Sequence, residues 1–245
     1  MSEPARRTPD RVEFTRDWYR GFLERLSERY QLRPFGTPVP PGTALLRHDV
    51  DLSVPAAVEM ARLEADLGVN SSYFLLAGSP LYNLLAPDTR EQVREIEALG
   101  HDVGLHFSTH SYWPAGHRPS DRALAARVRA EQEALDAVAR DPVDAVSFHV
   151  PPEWVLGASL DGVASTYAPA VFSEIGYLAD SGQRWREQSP LEGEHSERLQ
   201  VLTHPGLYGE EDAPFGARVL GAVDAAADRA RERTRREFLG EGPGR

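Results

Sequence analysis

Histidine and aspartate side chains follow several short apolar runs of this sequence. Asp49 and Asp51 lie at the end of TALLRHDVD, and His106 and His110 lie in GHDVGLHFSTH. Imidazole nitrogens and carboxylate oxygens are ligands for zinc and other late first-row divalent cations. The spacing of the two histidines lets both rings reach one ion if the chain turns after the strand. A His-x3-His pair that stands alone is nevertheless more often an ordinary polar pair than a metal site.

The two aspartates strengthen the case for a metal. Asp49 and Asp51 are two residues apart at a strand end, so their carboxylates share one face. Two carboxylates on one face repel each other unless a cation lies between them or one of them binds a proton. A divalent cation would relieve this repulsion, with one carboxylate as a ligand and the other beside it as a base. The alternative is that they cap the next helix or pair with Arg47.

Three more apolar runs end in residues that could do chemistry. His149 follows DAVSF, and His204 follows RLQVLT. A single histidine at a strand end is usually a hydrogen-bonded structural residue, but two more at the same end of one sheet favour a common site. The segment ADSGQRW adds an anion, a cation and an aromatic ring, which would suit the wall of a site for a sugar or another polar substrate: Asp180, Arg184 and Trp185. For Trp185, packing in the core is an equally good interpretation.

Composition excludes several classes of protein. The chain has 245 residues, which suits one large domain or two small ones. Its formal net charge of −11 argues against non-specific binding to nucleic acid or to an anionic membrane. Because there is no cysteine, disulfides, thiolate nucleophiles and zinc-finger sites are excluded. The charged N-terminus lacks the apolar core of a secretory signal, and no apolar run approaches the ~20 residues of a membrane span, so we expect a cytoplasmic protein.

Strand-like and helix-like segments alternate along the chain. Apolar runs predict strands at 43–50, 69–77, 101–107, 144–150, 168–173, 175–181 and 198–204. Helical periodicity and glycine stops predict helices at 10–31, 53–68, 87–100, 120–139 and 216–238. This alternation predicts an α/β fold with a parallel sheet. The histidines and aspartates then fall at the carboxyl ends of strands, where parallel barrels build their active sites.

The order of these segments resembles the polysaccharide deacetylase family, also called carbohydrate esterase family 4. The similarity spans about residues 43–206 and consists of RHDVD, GHDVGLHFSTH, SFHVPP, YLADSGQRW and VLTHP. The second segment keeps both histidines of its motif and is the most specific. The resemblance implies an irregular, incomplete parallel (β/α) barrel of about seven strands over 43–215. An N-terminal helix and linker over 1–42 and a C-terminal helix over 216–245 complete the expected organisation.

The resemblance also implies roles for the residues that match the family's motifs. Asp49 is then the catalytic base and His204 the general acid. His106 and His110 are metal ligands. Asp51 takes the place of the metal-binding aspartate, with a shift of one residue in the loop.

Two departures from the family pattern concern the surroundings of the base. The family has two adjacent aspartates, whereas Val50 separates them here. The family's third motif also carries an arginine that orients the base, and His149 or Val150 stands in its place. His149 is therefore expected either to orient Asp49 or to join the metal.

The function implied by the resemblance is metal-dependent hydrolysis of an acetyl group on an N-acetylated or O-acetylated sugar or glycan, with zinc as the expected metal. One alternative is hydrolysis of another carbon–nitrogen bond, in a cyclic amide or a ureide. Another is an inactive relative that binds a glycan or a protein partner. For the two terminal helices, three roles are open: cover for the barrel's open edge, a homodimer contact, or a solvated surface, which their Arg-rich faces fit best.

Overall fold

The computed structural model describes residues 11–240, which form one parallel sheet with helices packed against it. Its strands are β1 (Gln31–Arg33), β2 (Thr43–Val50), β3 (Ser72–Leu76), β4 (Asp102–Phe107), β5 (Val143–Phe148), β6 (Gly176–Ala179) and β7 (Arg198–Thr203). Its helices are α1 (Arg16–Ser27), α2 (Val54–Asp66), α3 (Pro87–Ala98), α4 (Asp121–Asp136) and α5 (Phe215–Thr234). Residues 1–10 and 241–245, which the predicted terminal regions include, lie outside the described residues.

The sheet is a seven-stranded open sheet rather than a closed barrel. Its strand order is β5-β4-β3-β2-β7-β6, and β1 pairs with the first half of β2. Every pairing is parallel. The outer edge of β5 bonds to an irregular segment around Ser165 instead of to another named strand. The predicted α/β fold, an incomplete barrel of about seven strands, is confirmed.

The local sequence explains where the elements begin and end. All eight residues of β2 are buried, because the strand lies in the middle of the sheet and is covered on both faces. The Ser53 hydroxyl accepts a hydrogen bond from the Ala56 N–H at 3.2 Å and caps α2. Gly68 and Gly100 end α2 and α3 with φ of 68° and 92°, a conformation that glycine adopts without a steric penalty.

The helices cover one face of the sheet and leave the other face as the interior. Alternate strand residues such as Leu46 and Val201 pack with α1, whose buried stripe includes Phe22 and Leu26. On the opposite face, Leu45 and other alternate residues pack in a smaller cluster near the amino ends of the strands. The carboxyl ends of the same interior face carry the polar residues of the candidate site.

Two segments differ from the sequence-based prediction. Residues 168–173 were expected to be a strand, but Pro169–Val171 form a 3-10 turn. Pro169 lacks an N–H for a sheet ladder, and the N–H groups of Phe172 and Ser173 bond back to its carbonyl at 3.3 and 3.1 Å. In addition, α1 is shorter than the predicted helix at 10–31: Thr15 caps its start, and the helix ends at Ser27, before β1 begins at Gln31. Within the described residues, no helix combines the length and apolar character needed to span a bilayer.

Candidate metal centre and its cavity

The polar residues of the site lie at the carboxyl ends of neighbouring strands. In the sheet, His106 of β4 stands beside Ser147 of β5, and β2 lies between β3 and β7. Asp51 follows β2 directly, His149 follows β5 and His204 follows β7. Parallel strands end at the same edge of a sheet, so residues that are distant in sequence meet there.

Asp51, His106 and His149 form a compact group. One ligand atom of each lies within 4.8 Å of the others, which is close enough for the three residues to share one metal ion. Asp51 Oδ1 is 3.0 Å from His106 Nε2 and 3.0 Å from His149 Nδ1. The two imidazole rings meet edge to face, at an interplanar angle of 84°. Two imidazoles and one carboxylate are a donor set suited to zinc and similar cations.

The hydrogen bonds around His106 support a cation rather than a proton at its outer nitrogen. Nδ1 lies 3.1 Å from the carbonyl oxygen of Ser147, which can only accept, so Nδ1 carries the proton. Nε2 of the neutral ring is then a lone-pair donor that faces the Asp51 carboxylate. Asp51 Oδ1 is buried and has no hydrogen-bond partner within the described residues, although two imidazole nitrogens lie 3.0 Å away. The three side chains therefore fit a divalent cation.

The electrostatics of Asp51 point the same way. Burial alone would raise the pKa of Asp51, but its contacts with His106 and His149 and the charge of His204 outweigh burial and hold the pKa well below its usual range. The Asp51 contact also raises the pKa of His149. The carboxylate is thus ionised at neutral pH, as a metal ligand must be.

Asp49 has different surroundings from Asp51. Its side chain is 2% exposed, and Oδ2 accepts a hydrogen bond from the Ser147 hydroxyl at 2.9 Å. Arg47 Nη2 lies 3.4 Å from the same oxygen. Asp49 Oδ1 has no hydrogen-bond partner in the described part of the chain. One oxygen is therefore held in place, and the other is free to accept a proton.

Arg47 is a charged residue in the middle of a buried strand. Its side chain is fully buried, donates to the Tyr167 hydroxyl at 2.8 Å and stacks over that ring at 4.7 Å. Burial would lower the pKa of Arg47, but the charge of Asp49 and the Tyr167 contact outweigh it and raise the pKa. Arg47 is therefore a permanent cation beside Asp49.

His204 and Asp180 form a pair on the other side of Asp51. His204 Nδ1 donates to Asp180 Oδ1 at 2.5 Å, and the His204 backbone N–H donates to Oδ2 at 3.0 Å. His204 Nε2 lies 3.7 Å from Asp51 Oδ2. Burial would lower the pKa of His204, but Asp180 outweighs it and raises the pKa to about 9. Asp180 thus fixes the ring and favours its protonated form.

Two of the expected site residues lie elsewhere. His110 is exposed and its Nε2 is 3.4 Å from the Val150 carbonyl, so it is not part of the Asp51 group. The reason is the 3-10 turn Thr109–Ser111, which buries Thr109 and turns His110 outward. For Trp185 the sequence left two interpretations open, the wall of a substrate site and the core; the residue is 3% exposed and packs against Trp18 and Phe22 of α1. Its ring belongs to the core.

A cavity of about 700 Å³ opens beside the group. Asp49, Asp51, His106, His149 and His204 line it, together with Arg184 of the ADSGQRW segment and many apolar residues. Asp180 lies behind His204 and is fully buried.

The cavity is bordered by a strained residue. Val150 has φ of 43°, which is costly for a β-branched side chain. The strained turn follows His149 directly.

Sequence reasoning missed the roles of Arg47 and Ser147. From the sequence, Arg47 is interpreted only as a possible ion-pair partner of the aspartates, and no role is predicted for Ser147. Strand alternation gives the signal that was available: Arg47 and Asp49 share one face of β2, and Ser147 shares a face with His149. The Ser147 hydroxyl contacts Asp49 across the sheet. The two residues are far apart in the sequence, so no local sequence pattern predicts this contact.

Comparison with known proteins gives similarity in structure only. No family model and no curated protein matches the sequence. Among solved structures, the chain is similar to the Bc1960 peptidoglycan N-acetylglucosamine deacetylase, with 17% identity, a TM-score of 0.45, and coverage of 84% of this chain and 87% of that one. It is also similar to the peptidoglycan deacetylase PdaC from Bacillus subtilis, with 14% identity, a TM-score of 0.44, and coverage of 80% and 96%.

A third similar structure is a pseudoenzyme. It is a carbohydrate esterase family 4 protein from Bacillus anthracis, with 13% identity, a TM-score of 0.44, and coverage of 84% of this chain and 66% of the other. The chain therefore spans about two thirds of that protein's length. Two peptidoglycan deacetylases and a carbohydrate esterase family 4 pseudoenzyme are thus among the solved structures to which this chain is similar.

Proposed function

We propose that this protein is a metal-dependent hydrolase that removes an acyl group, with an acetylated sugar or glycan as the substrate that the motif resemblance implies. The observation that carries the proposal is the Asp51–His106–His149 group, which lies on the wall of a cavity beside a second carboxylate with a free oxygen. These three residues would hold a divalent cation, with zinc as the expected one. When bound, such a cation polarises an acyl carbonyl and lowers the pKa of water.

Asp49 is the proposed general base. Arg47 and Ser147 hold its Oδ2, so Oδ1 keeps a fixed position with an available lone pair. Asp49 lines the cavity, which is where a water and an acyl group would meet. Arg47 Nη2 lies 3.4 Å from Asp49 Oδ2, and a carboxylate without a proton can act as a general base.

His204 is the proposed general acid. Asp180 binds its Nδ1–H, so the Nε2 side faces the cavity and Asp51. A protonated Nε2 can give its proton to the leaving nitrogen or oxygen of the substrate. Asp180 is a positioning residue, because it acts on the substrate only through His204.

The experiment is a measurement of metal content and hydrolysis on one purified sample. We expect about one Zn²⁺ per chain after loading, and release of acetate from N-acetylglucosamine oligomers. A cyclic ureide measured in parallel tests the alternative carbon–nitrogen bond. Bound metal with hydrolysis of the ureide alone would replace the acyl substrate with that alternative. Bound metal with no hydrolysis of either compound would favour an inactive binding protein, and absence of bound metal would contradict the metal-dependent mechanism itself.

A further inference from the structure

The wall of the cavity beside Asp51 is mostly apolar and aromatic. The residues that form this apolar wall include Leu156, Tyr167, Phe172, Tyr177, Leu202 and Phe215. Phe172 packs edge to face against Tyr167 and Tyr177, with ring centroids 5.3 and 4.8 Å apart. A continuous aromatic surface therefore extends from the reacting residues.

The tyrosine hydroxyls in this wall already have partners. The Tyr167 hydroxyl accepts from Arg47 at 2.8 Å, and it also bonds to Tyr177. Burial is the largest cause that raises the pKa of both tyrosines. The two side chains therefore offer ring surface, rather than hydroxyl groups, to a ligand.

Polar groups for a sugar are few. Apart from the proposed catalytic and metal-binding residues and the two tyrosines, the polar side chains that line the cavity are Ser181 and Arg184. Within the described residues, none of its lining positions is Asn, Gln, Glu, Lys or Thr. A sugar ring placed against this wall loses water from the hydroxyls that contact it, and every unmatched hydroxyl weakens binding. A cavity of about 700 Å³ is also far larger than an acetyl group requires.

Exposed apolar side chains concentrate at the same opening. Nine large apolar residues of the described chain are exposed, and three of them line this cavity: Val150 at 63%, Leu156 at 41% and Phe215 at 44%. Exposed apolar surface around a concave site is typical of a ligand-binding site.

We infer that the substrate carries an apolar group, of the size of an aromatic ring or a short aliphatic chain, next to the bond that is broken. This inference rests on the proposed function and specifies its substrate class. The apolar group lies either on the acyl side or on the amine side of the scissile bond, and both arrangements place it against the Tyr167–Phe172–Tyr177 wall.

The test compares amides that differ in one group. The acyl arm uses N-acetyl-, N-butanoyl- and N-benzoylglucosamine, and the amine arm compares N-acetylglucosamine with N-benzylacetamide. Two buried methylenes correspond to about tenfold in kcat/KM, so we expect at least ~10-fold higher kcat/KM for the apolar member of one arm. Equal or higher kcat/KM for N-acetylglucosamine than for every apolar amide would overturn the inference and leave the proposed function standing.

A wall variant and a matched control locate the effect. Leu156→Trp should reduce the preference for the apolar amide by ~10-fold, because the larger ring fills part of the cavity. Leu220→Trp changes an exposed leucine of α5 that does not line the cavity, and should leave the preference unchanged. An unchanged preference in Leu156→Trp, with circular dichroism that matches the parent protein, would also overturn the inference.

Binding separates the inference from the proposed function. Calorimetry is done with Asp49→Asn, because hydrolysis does not interfere in this variant. It should give at least ~10-fold tighter binding of the preferred apolar amide than of N-acetylglucosamine. If the parent protein hydrolyses no amide but this preference is present, the proposed function fails and the apolar site stands. If the two bind equally, the apolar site fails whatever the activity.

Discussion

Asp49 and Asp51 are two residues apart, but their carboxylates have different surroundings. Asp51 Oδ1 faces two imidazole nitrogens at 3.0 Å, whereas Asp49 Oδ2 is held by a hydroxyl and a guanidinium group. The interruption by Val50 therefore has a structural consequence. It places the Asp51 carboxylate beside His106 and His149, and the Asp49 carboxylate beside Arg47.

The two asparagine variants should separate these roles. Asp49→Asn keeps the shape of the side chain and removes proton acceptance, so metal content should stay and turnover should fall by ~10²–10⁴-fold. Asp51→Asn removes a negative charge from the proposed ligands, so metal content and turnover should fall together. Metal analysis and hydrolysis assays on both variants check this expectation. Loss of metal in Asp49→Asn, with retention in Asp51→Asn, would reverse the assignment.

At the scale of elements, β4 shows how closely the strands around the site pack. A Cβ added at Gly104 would lie 2.7 Å from the Phe74 ring and 2.9 Å from Val143. The register between β4 and β5 also shifts between Gly104 and Leu105. Glycine at this position lets β4 approach its neighbours, and His106, which faces Asp51, lies two residues further along the same strand.

Gly104→Ala should therefore destabilise the fold. Overpacking in a core of this kind costs about 1–3 kcal/mol, which urea unfolding can measure. Gly21→Ala in α1 is the matched control, since no atom lies within 4 Å of its added Cβ and alanine favours a helix by about 0.5–1 kcal/mol. Equal stability of the two variants would show that the close contact at Gly104 does not affect the free energy of unfolding.

Local patterns in the sequence predict most elements but only part of the site. The run TALLRHDV matches β2, and glycine stops match the ends of α2 and α3, because these signals lie within a few residues of each other. The choice between His110 and His149 depends on a 3-10 turn after β4 and on a strained turn at Val150. The sequence also leaves the location of Trp185 open, because an aromatic side chain suits either the core or the wall of a binding site. The packing of α1 against its ring places it in the core.

At the scale of the whole molecule, a buried polar network joins the helices to the sheet. Glu64 of α2 is fully buried and accepts hydrogen bonds from Tyr19 of α1 at 2.5 Å and from Tyr73 of β3 at 2.9 Å. His48 Nε2 of β2 lies 2.8 Å from the same carboxylate. Burial would raise the pKa of Glu64, but the charge of His48 outweighs it and lowers the pKa to about 2. The network lies on the helix-covered face of the sheet and is separate from the cavity.

Glu64 should make stability depend on pH. Its pKa is lower in the folded chain than the usual 4.5, so its contribution is present above pH 4.5 and is lost as the pH falls toward about 2. Glu64→Gln should lower the free energy of unfolding at pH 7 by about 3–5 kcal/mol, because His48 and the other buried partners of Glu64 then lack a charged carboxylate. It should also reduce the loss of stability between pH 4.5 and pH 3.

Denaturant unfolding at several pH values, in the presence of a chelator, measures this effect. Glu24→Gln changes an exposed glutamate and serves as the control, which should follow the parent protein at every pH. A Glu64→Gln variant with the stability and pH dependence of the parent would contradict an ionised carboxylate at the centre of this network.

The central claim is that Asp51, His106 and His149 together hold a divalent cation. The most direct measurement is the zinc content of His149→Ala and His110→Ala, each stripped with a chelator, reloaded and analysed by mass spectrometry beside the parent protein. Because a three-ligand site loses its geometry when one ligand is removed, His149→Ala should lose most of the ion, while His110→Ala should retain about one per chain. Retention of zinc in His149→Ala together with its loss in His110→Ala would contradict this metal centre.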